Sequence, residues 1–403
     1  MLRETDDMQR ETDHRRDHVK TKAFRFMLVA FIIGGAASPV MGQNQYSVYS
    51  VHDLGTLGGS SGSQPNGING AGQVVGYAFI NSSRFVNHAF RTAANRSINP
   101  ATDDLGTLGG EFSSANGINS LGQVVGDSLI DHSNSFFYHA FRTAANRPIN
   151  PATDDLRTLG GDSSSASGIN DSGQVVGSSL ITGNTATHAF RTSAKRPINP
   201  NTDDLGTLGG NFSNAVGING TGEVVGFSTT SGGAIHAFRT AANRPINPAT
   251  DDLGSLGANS LATAVSTSGQ VVGYSFMNSA NRFYYHAFRT AASGPINPAA
   301  DDLGAVGPAS VASSRATGIN SSGQVVGYSQ TNTGAIHAFL YSSGVMDDLN
   351  DLIPANSGWV LQVAYGINNA GQIIGCGIHN GQSQAFRLDP RNRPNVNPNL
   401  STN

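Results

Sequence analysis

The stretch that decides the fold is residues 236–254, which read HAFRTAANRPINPATDDLG. Nearly the same words recur elsewhere in the chain, and a shortened version begins at His337. A second phrase, Gly-Ile-Asn-x-x-Gly-Gln-Val-Val-Gly, lies between successive copies. From about residue 43 onward the chain is therefore one unit, repeated.

Seven such units follow one another. The residue that opens each Gly-Ile-Asn phrase comes 47 to 54 residues after the previous one. These opening residues are Gly67, Gly117, Gly168, Gly217, Ala264, Gly318 and Gly366. A fixed period of this size is typical of a solenoid, a propeller or an array.

Within each unit we predict four short strands joined by turns. In the second unit they are residues 103–108, 115–119, 123–128 and 139–143. The second and third strands are joined by a phrase such as Asn-Asp-Ser-Gly at 170–173, in which Asn suits the start of a turn and Gly supplies a positive φ. The sequence therefore predicts an all-β fold, namely a seven-bladed β-propeller built from seven four-stranded repeats of about fifty residues.

The two ends of the repeat region predict how the ring closes. The chain enters on a first-strand phrase at 51–57 and leaves on a fourth-strand phrase at 384–388. If each blade begins after the Thr-Leu-Gly-Gly loop, the last blade lacks an outer strand. The strand near Asp53 would fill that place and remove two open sheet edges.

The segment before the repeats has the order of a secretory signal peptide. Positive residues up to Arg25 precede an apolar run that ends near Ala37, and Gly42 offers a cleavage site. The run is too short for a comfortable transmembrane span of about 20 residues. We therefore expect residues 1–42 to be a signal peptide or N-terminal anchor, 43–390 the propeller, and 391–403 a disordered tail.

Charge and cysteine content exclude several classes of function. The formal net charge is -3 over 403 residues, and Lys195 is the only lysine after residue 42. Nonspecific nucleic-acid binding needs a basic face, so nucleic acid is not an expected partner. Cys376 is the only cysteine, so no internal disulfide can form, and no Cys/His cluster has zinc spacing. We predict no metal site and no cofactor.

The repeated phrases DLGTLGG, GINxxGQVVG and HAF together resemble the HAF family of extracellular repeat proteins. The resemblance covers about residues 51–388. It implies an exported protein of repeated β units and no established enzymatic activity. The fifth unit departs from the pattern with Ala264-Val265-Ser266, and the seventh has Gln384 where the others have His.

The repeated histidines and aspartates invite two interpretations. The histidines are His88, His139, His188, His236, His286 and His337. The paired aspartates are Asp103/Asp104, Asp154/Asp155, Asp203/Asp204, Asp251/Asp252, Asp301/Asp302 and Asp347/Asp348. A ring of metal ligands is one interpretation, but neighbouring blades lie about 10 Å apart, whereas metal–ligand bonds are about 2 Å. The favoured interpretation of the histidines is a hydrogen bond from each His to a neighbouring Asp or backbone group. For the aspartates, calcium binding is the less favoured alternative, because a calcium loop needs several ligands within about a dozen residues and a sharp Gly turn. Strand alternation would instead turn one Asp of each pair toward solvent and the other toward a neighbour or a turn amide.

Candidate binding residues lie where the units differ most, in the loop before each His-Ala-Phe phrase. Three of these loops carry aromatic residues, and loops on a rigid scaffold are common binding sites. The candidate ligand-binding residues are Arg84, Phe85, Phe136, Tyr138, Arg282, Phe283, Tyr284 and Tyr285. The competing interpretation is that the aromatics begin the fourth strand and pack between blades. Strand alternation would turn Phe137 away from Tyr138.

The sequence predicts a secreted or cell-surface, monomeric scaffold that binds carbohydrate or protein or has a structural role, with membrane contact only through an uncleaved N-terminal segment. The alternative is a propeller-type hydrolase or lyase acting on extracellular polysaccharide. An enzyme needs different residues in different roles within about 3 Å, and the unrepeated residues offer no such constellation. We therefore assign no catalytic residue. A third possibility is a structural component of a surface layer.

Overall fold

The structure is a computed structural model that describes residues 48–59, 62–81, 86–131, 137–277, 284–308 and 311–391. The predicted N-terminal segment and all of the predicted tail except Arg391 lie outside these residues. The description below concerns the repeat region, which belongs to a compact unit of its own.

Strands dominate the described residues. In chain order they are β1 (Tyr49–Asp53), β2 (Ser63–Ile68), β3 (Val74–Phe79), β4 (Asn87–Arg91), β5 (Ser113–Ile118), β6 (Val124–Leu129), β7 (Tyr138–Arg142), β8 (Asp155–Arg157), β9 (Gly160–Ile169), β10 (Val175–Ile181), β11 (Thr187–Arg191), β12 (Gly209–Ile218), β13 (Val224–Thr230), β14 (Ile235–Arg239), β15 (Ser260–Val265), β16 (Val271–Phe276), β17 (Tyr285–Arg289), β18 (Ser314–Ile319), β19 (Val325–Gln330), β20 (Ile336–Ser342), β21 (Val345–Asp348), β22 (Trp359–Ile367), β23 (Ile373–His379) and β24 (Gln382–Pro390). Two short 3-10 helices, Thr182–Asn184 and Leu349–Leu352, are the helices among these residues, and neither has the length or apolar character to span a bilayer.

The described residues form an all-β propeller with six sheets, each built from antiparallel meanders. The sequence predicted seven blades, and the sheet count does not match. The difference arises in the third and fourth units, because β11 and β12 share one parallel bridge between Thr187 and Phe212 and so join β9–β14 into one six-stranded sheet.

The closure predicted from the chain ends is confirmed. Strand β1 pairs antiparallel with β24, with Val51 opposite Leu388, so the entering segment supplies the outer strand of the last sheet. That sheet has the order β1-β24-β23-β22. The ring is also closed near its axis, where the Asn368 side chain donates a hydrogen bond to the backbone oxygen of Asn69 at 3.0 Å.

The repeated Val-Val-Gly phrase explains how two strands approach each other closely. A Cβ at Gly126 would lie 1.8 Å from the backbone oxygen of Ser114, which a real side chain cannot tolerate. The close approach accompanies a register shift between Ala115 and Gly117 in the facing strand. The predicted turn between the second and third strands of a unit is also confirmed. Gly173 has φ +82°, and its amide donates a hydrogen bond to the backbone oxygen of Asn170.

The predicted first strand of each unit, as at 103–108, is shorter than expected. In four units it is reduced to an isolated antiparallel bridge to the preceding His-Ala-Phe strand. These bridges are Phe90↔Asp104, Phe190↔Asp204, Phe238↔Asp252 and Phe288↔Asp302. The backbone leaves the sheet after Leu105 because Gly106 has a positive φ of 71°.

Within the described part of the chain the core is divided into seven clusters, each formed where two neighbouring units meet. In one of them Val75 and Ala89 of the first unit pack against Val124 and Phe141 of the second, and all four side chains are fully buried. The Phe of each His-Ala-Phe phrase thus fills the space between its own unit and the preceding one. Packing between units rather than within them explains why the units must be stacked to be stable.

Candidate functional site

The repeated histidines form the predicted hydrogen bonds. In five units the His Nδ1 lies 2.9 Å from a carboxylate oxygen of the second Asp of the pair, and the corresponding distance from His337 to Asp348 is 2.5 Å. Burial alone raises the pKa of Asp104, but its hydrogen bonds to His88 and Gly106 lower the pKa below its ordinary value. One Asp of the pair meets a turn amide, as predicted, and it is the first: Asp103 accepts hydrogen bonds from the Asn99 amide and the Thr102 hydroxyl. These pairs hold each outer segment to its sheet.

The seventh unit replaces this pair with a different arrangement. It lacks the repeated His, but His379 lies 3.6 Å from Asp53 of the closing strand. The indole of Trp359 stacks on the His379 ring at 4.5 Å. Cys376 contacts the backbone oxygen of Ser63 at 3.7 Å, and burial raises the pKa of its thiol to about 12. A thiol with this pKa is protonated at neutral pH and is a poor nucleophile.

Two cavities lie between the inner strands of the units. A cavity of about 190 Å³ is lined by the inner strands of five units, with glycine and isoleucine predominating, as at Gly117 and Ile118. A second cavity of about 200 Å³ lies beside the tight hairpins and includes the Asn320 and Asn368 side chains. The side chains of both asparagines form hydrogen bonds within their own turns and to the next unit. Within the described residues no group of three His, Cys, Asp or Glu side chains could hold a metal ion.

Five of the eight candidate binding residues lie outside the described residues: Arg84, Phe85, Phe136, Arg282 and Phe283. The other three begin or immediately precede the fourth strands of the second and fifth units, and they are partly buried. The expected alternation is confirmed, because Phe137 is exposed whereas Tyr138 is partly buried. Burial, and then the charge of Asp127, raises the pKa of Tyr138.

In the fifth unit the two candidate tyrosines point in different directions. Tyr284 packs edge-on against His286 with ring centroids 5.4 Å apart. Tyr285 lies against Phe276 at 5.8 Å and against Tyr274 at 5.3 Å. The packing of these rings agrees with the competing interpretation, in which the loop aromatics pack between blades. Tyr285 also has a charged side chain nearby.

That charge is Arg315 of the sixth unit, which sequence reasoning missed. Its guanidinium lies over the Tyr274 ring, 4.3 Å from the centroid. Tyr285 and Tyr328 also lie near Arg315, as does Tyr365 of the seventh unit. The hydroxyl groups of Tyr285 and Tyr328 interact. Burial, and then Tyr328, raise the pKa of Tyr285. We call Arg315, Tyr274, Tyr285 and Tyr328 the Arg315 cluster.

The cluster lies between two units at the end where the variable loops emerge. Tyr285 and Phe276 are paired at the ends of β17 and β16, and the variable connection of the fifth unit runs between them. Tyr285 also donates its backbone amide to the Ser313 hydroxyl of the sixth unit. We call this end of the units the variable-loop face. All four residues of the cluster keep partial solvent exposure.

The cluster breaks the symmetry of the repeats. Arg315 takes the place that Gln64, Ser114, Ser165, Asn214, Leu261 and Val363 take in the other units. Tyr274 comes directly after a Val-Val-Gly phrase, and its side chain faces the next unit. Asp127 has the same place in the second unit and also faces the next unit, where it accepts a hydrogen bond from Ser165. The signal was present in the sequence, because residues 314–320 read SRATGIN where 113–119 read SSANGIN.

The chain is similar to one protein-family model and to several solved structures. A family model described as "Protein of unknown function (DUF3466)" matches residues 200–389. No curated protein is significantly similar to the chain. Among solved structures, the BP39L lectin from Burkholderia pseudomallei is 11% identical with a TM-score of 0.37, covering 86% of this chain and 99% of the lectin.

Two further solved structures are similar at the same level. The WD40 domain of Toxoplasma gondii coronin is 10% identical with a TM-score of 0.39, covering 87% of this chain and 85% of that domain. Trypanosoma rangeli sialidase is 11% identical with a TM-score of 0.35, covering 81% of this chain and 54% of the sialidase.

Proposed function

We propose that this protein is a binding scaffold and that its ligand, a carbohydrate, binds at the Arg315 cluster on the variable-loop face. The observation that carries the proposal is the guanidinium of Arg315 over the Tyr274 ring, 4.3 Å from its centroid, at a position where every other unit has an uncharged residue. A rigid repeat scaffold with one such departure is typical of a binding surface.

The chemistry of the cluster suits a polar ligand with apolar faces. Tyrosine offers a flat apolar ring together with a hydroxyl group that both donates and accepts hydrogen bonds. Tyr274, Tyr285 and Tyr328 present three such rings in one place, each partly exposed. A sugar ring can pack its C–H groups on the aromatic surface while its hydroxyl groups meet the polar edge.

We also propose that the scaffold functions as seven blades, with β9–β11 and β12–β14 as separate ones. The support is that only one residue pair, Thr187 with Phe212, joins the two meanders. A core cluster of its own, including Val176 of β10 and Phe238 of β14, fills the space between them. Each meander therefore makes the same inter-unit contacts as the others.

Export completes the proposal. We propose that the chain is a secreted or cell-surface member of the HAF family, monomeric, and directed outward by residues 1–42; the support is the charged-then-apolar order of that segment and the repeated phrases. Mass spectrometry of the protein recovered from the culture medium tests this. A mature N-terminus near Gln43 is the expected result, and retention of the protein inside the cell would contradict it.

The test of binding is a glycan screen of the purified full-length protein followed by titration of the best ligand. Tyr285→Leu should weaken that ligand by about 10-fold or more, because it removes both the ring face and the hydroxyl. The matched control is Tyr341→Leu, since Tyr341 forms the other arginine–tyrosine contact, with Arg289 at 5.1 Å, near the hairpin end of β20. Equal losses in both variants, or no loss in Tyr285→Leu at unchanged thermal stability, would overturn the proposal.

A further inference from the structure

Among the residues that the structure describes, no carboxylate forms an ion pair with Arg315. The internal segments outside the description, 60–61, 82–85, 132–136, 278–283 and 309–310, contain no Asp or Glu. A partly buried cation with no counter-ion among the described residues is a candidate site for an anion.

Two other arginines of the scaffold, Arg289 and Arg387, have hydrogen-bond acceptors within the protein. Arg289 donates to the backbone oxygen of Gly323 at 2.7 Å. Arg387 forms two hydrogen bonds to the carboxylate of Asp389. By contrast, the described surroundings of Arg315 are phenol groups, which are uncharged at neutral pH, and the Tyr328 hydroxyl is a hydrogen-bond partner of the guanidinium. A guanidinium carries five donors, so the hydrogen bond to Tyr328 leaves others for a ligand.

We propose that the Arg315 cluster binds the carboxylate group of an acidic saccharide, such as a uronic acid residue of a polysaccharide. This inference rests on the proposed carbohydrate-binding function and adds the charge of the ligand. A planar guanidinium matches a carboxylate with two parallel hydrogen bonds, which fixes the orientation of the sugar. The neighbouring tyrosine rings then contact the sugar ring that carries the carboxylate.

The cluster selects a carboxylate over a larger polyanionic surface. It presents a single cation, and the equivalent positions of the adjoining units are Leu261 and Val363, which are uncharged. The second unit has Asp127 at the position equivalent to Tyr274, and this carboxylate would repel a continuous row of anions. One carboxylate at a time, flanked by uncharged sugar surface, fits this arrangement.

The test uses the full-length protein and pairs of probes that differ at a single carboxyl group: the methyl glycosides of galacturonic acid and of glucuronic acid, each as the free acid and as the methyl ester. The free acid should bind about 10-fold or more tightly than its ester, and added salt should reduce that difference. Arg315→Gln should weaken binding of the acid more than binding of the ester, so that the preference is lost. The control Arg289→Gln should leave the preference intact.

The outcomes separate the two proposals. If acid and ester bind equally, and Tyr285→Leu weakens both, the carbohydrate site stands and the carboxylate inference is wrong. If Arg289→Gln removes the preference as strongly as Arg315→Gln, the effect is structural and the inference is also wrong. If these acids do not bind while neutral glycans do, the inference fails and the scaffold function stands. If no saccharide binds, the proposed function itself fails.

Discussion

Asn368 of the seventh unit donates its side-chain hydrogen bond to the backbone oxygen of Asn69 in the first, 3.0 Å away across 299 residues of chain. The same bond links successive units elsewhere in the ring, as from Asn119 to the oxygen of Asn170 at 3.2 Å. The hairpin asparagine therefore does two things at once. Its oxygen caps its own turn and its nitrogen joins the next unit.

The first prediction concerns the closing segment. Leu54 follows β1, is fully buried, and its backbone amide donates to Ala385 of the last unit. Leu54→Ala should lower the free energy of unfolding by about 2–5 kcal/mol, because it leaves a cavity where the ring closes. Urea denaturation measures this.

Val360→Ala serves as the control, since Val360 lies in the same last sheet but is 45% exposed. It should change the free energy of unfolding by less than about 0.5 kcal/mol. A loss for Leu54→Ala no greater than that of the control would show that closure contributes little to stability.

The second prediction uses a natural difference between units. In the fifth unit Ser266 replaces the asparagine; its hydroxyl still accepts the turn hydrogen bond from Gln270, but it lacks the amide that reaches the next unit. Asn119→Ser should therefore cost about 1 kcal/mol of stability, and Ser266→Asn should add a similar amount. The paired thermal unfolding curves check both signs. Changes of the same sign in the two variants would refute the role of the inter-unit bond.

The third prediction concerns pH. Its hydrogen bond to Asp348 raises the pKa of His337, and that hydrogen bond lowers the pKa of Asp348 against the opposing effect of burial. The stability from His337 is therefore fully present below its unfolded pKa of about 6.5 and is lost as pH rises through its folded pKa. The stability from Asp348 is present above about pH 3.8 and is lost as pH falls through its lowered folded pKa.

His337→Gln should accordingly flatten the fall in melting temperature between about pH 6 and about pH 9. Glutamine suits the position, since the seventh unit has Gln384 there. Melting temperatures of the wild type and the variant across that range provide the measurement. A constant difference between the two curves would mean that the pair does not titrate as described.

Much of the fold could be predicted because the same residue types recur at the same spacing in successive repeats. The Asn170–Gly173 turn, the His–Asp pairs and the closing strand all follow from residue types at fixed spacing. The sheet count could not be predicted, because it depends on one bridge between Thr187 and Phe212 that no pattern encodes. The outer strands were predicted too long, because the positive φ of Gly106 turns the backbone away early.

The site was harder to predict than the fold. Tyr285 was identified from its loop, but Arg315 lies thirty residues later and meets Tyr285 only because neighbouring units pack face to face. An alignment of the units would have shown Arg315 as an exception without showing what it contacts. Tyr138 occupies the place equivalent to Tyr285 but lies beside Asp127 rather than an arginine, so equivalent tyrosines have neighbours of opposite charge.

The most direct test of the account is amide hydrogen exchange of the full-length protein with and without a bound saccharide from the screen. The account predicts slower exchange confined to the variable-loop ends of the fifth and sixth units, in peptides that contain Tyr274, Tyr285 and Arg315. The turns on the opposite face, as at Asn119, should exchange at unchanged rates. Protection of those turns, or of the variable-loop ends of the second and third units instead, would contradict the assignment of the ligand site to the Arg315 cluster.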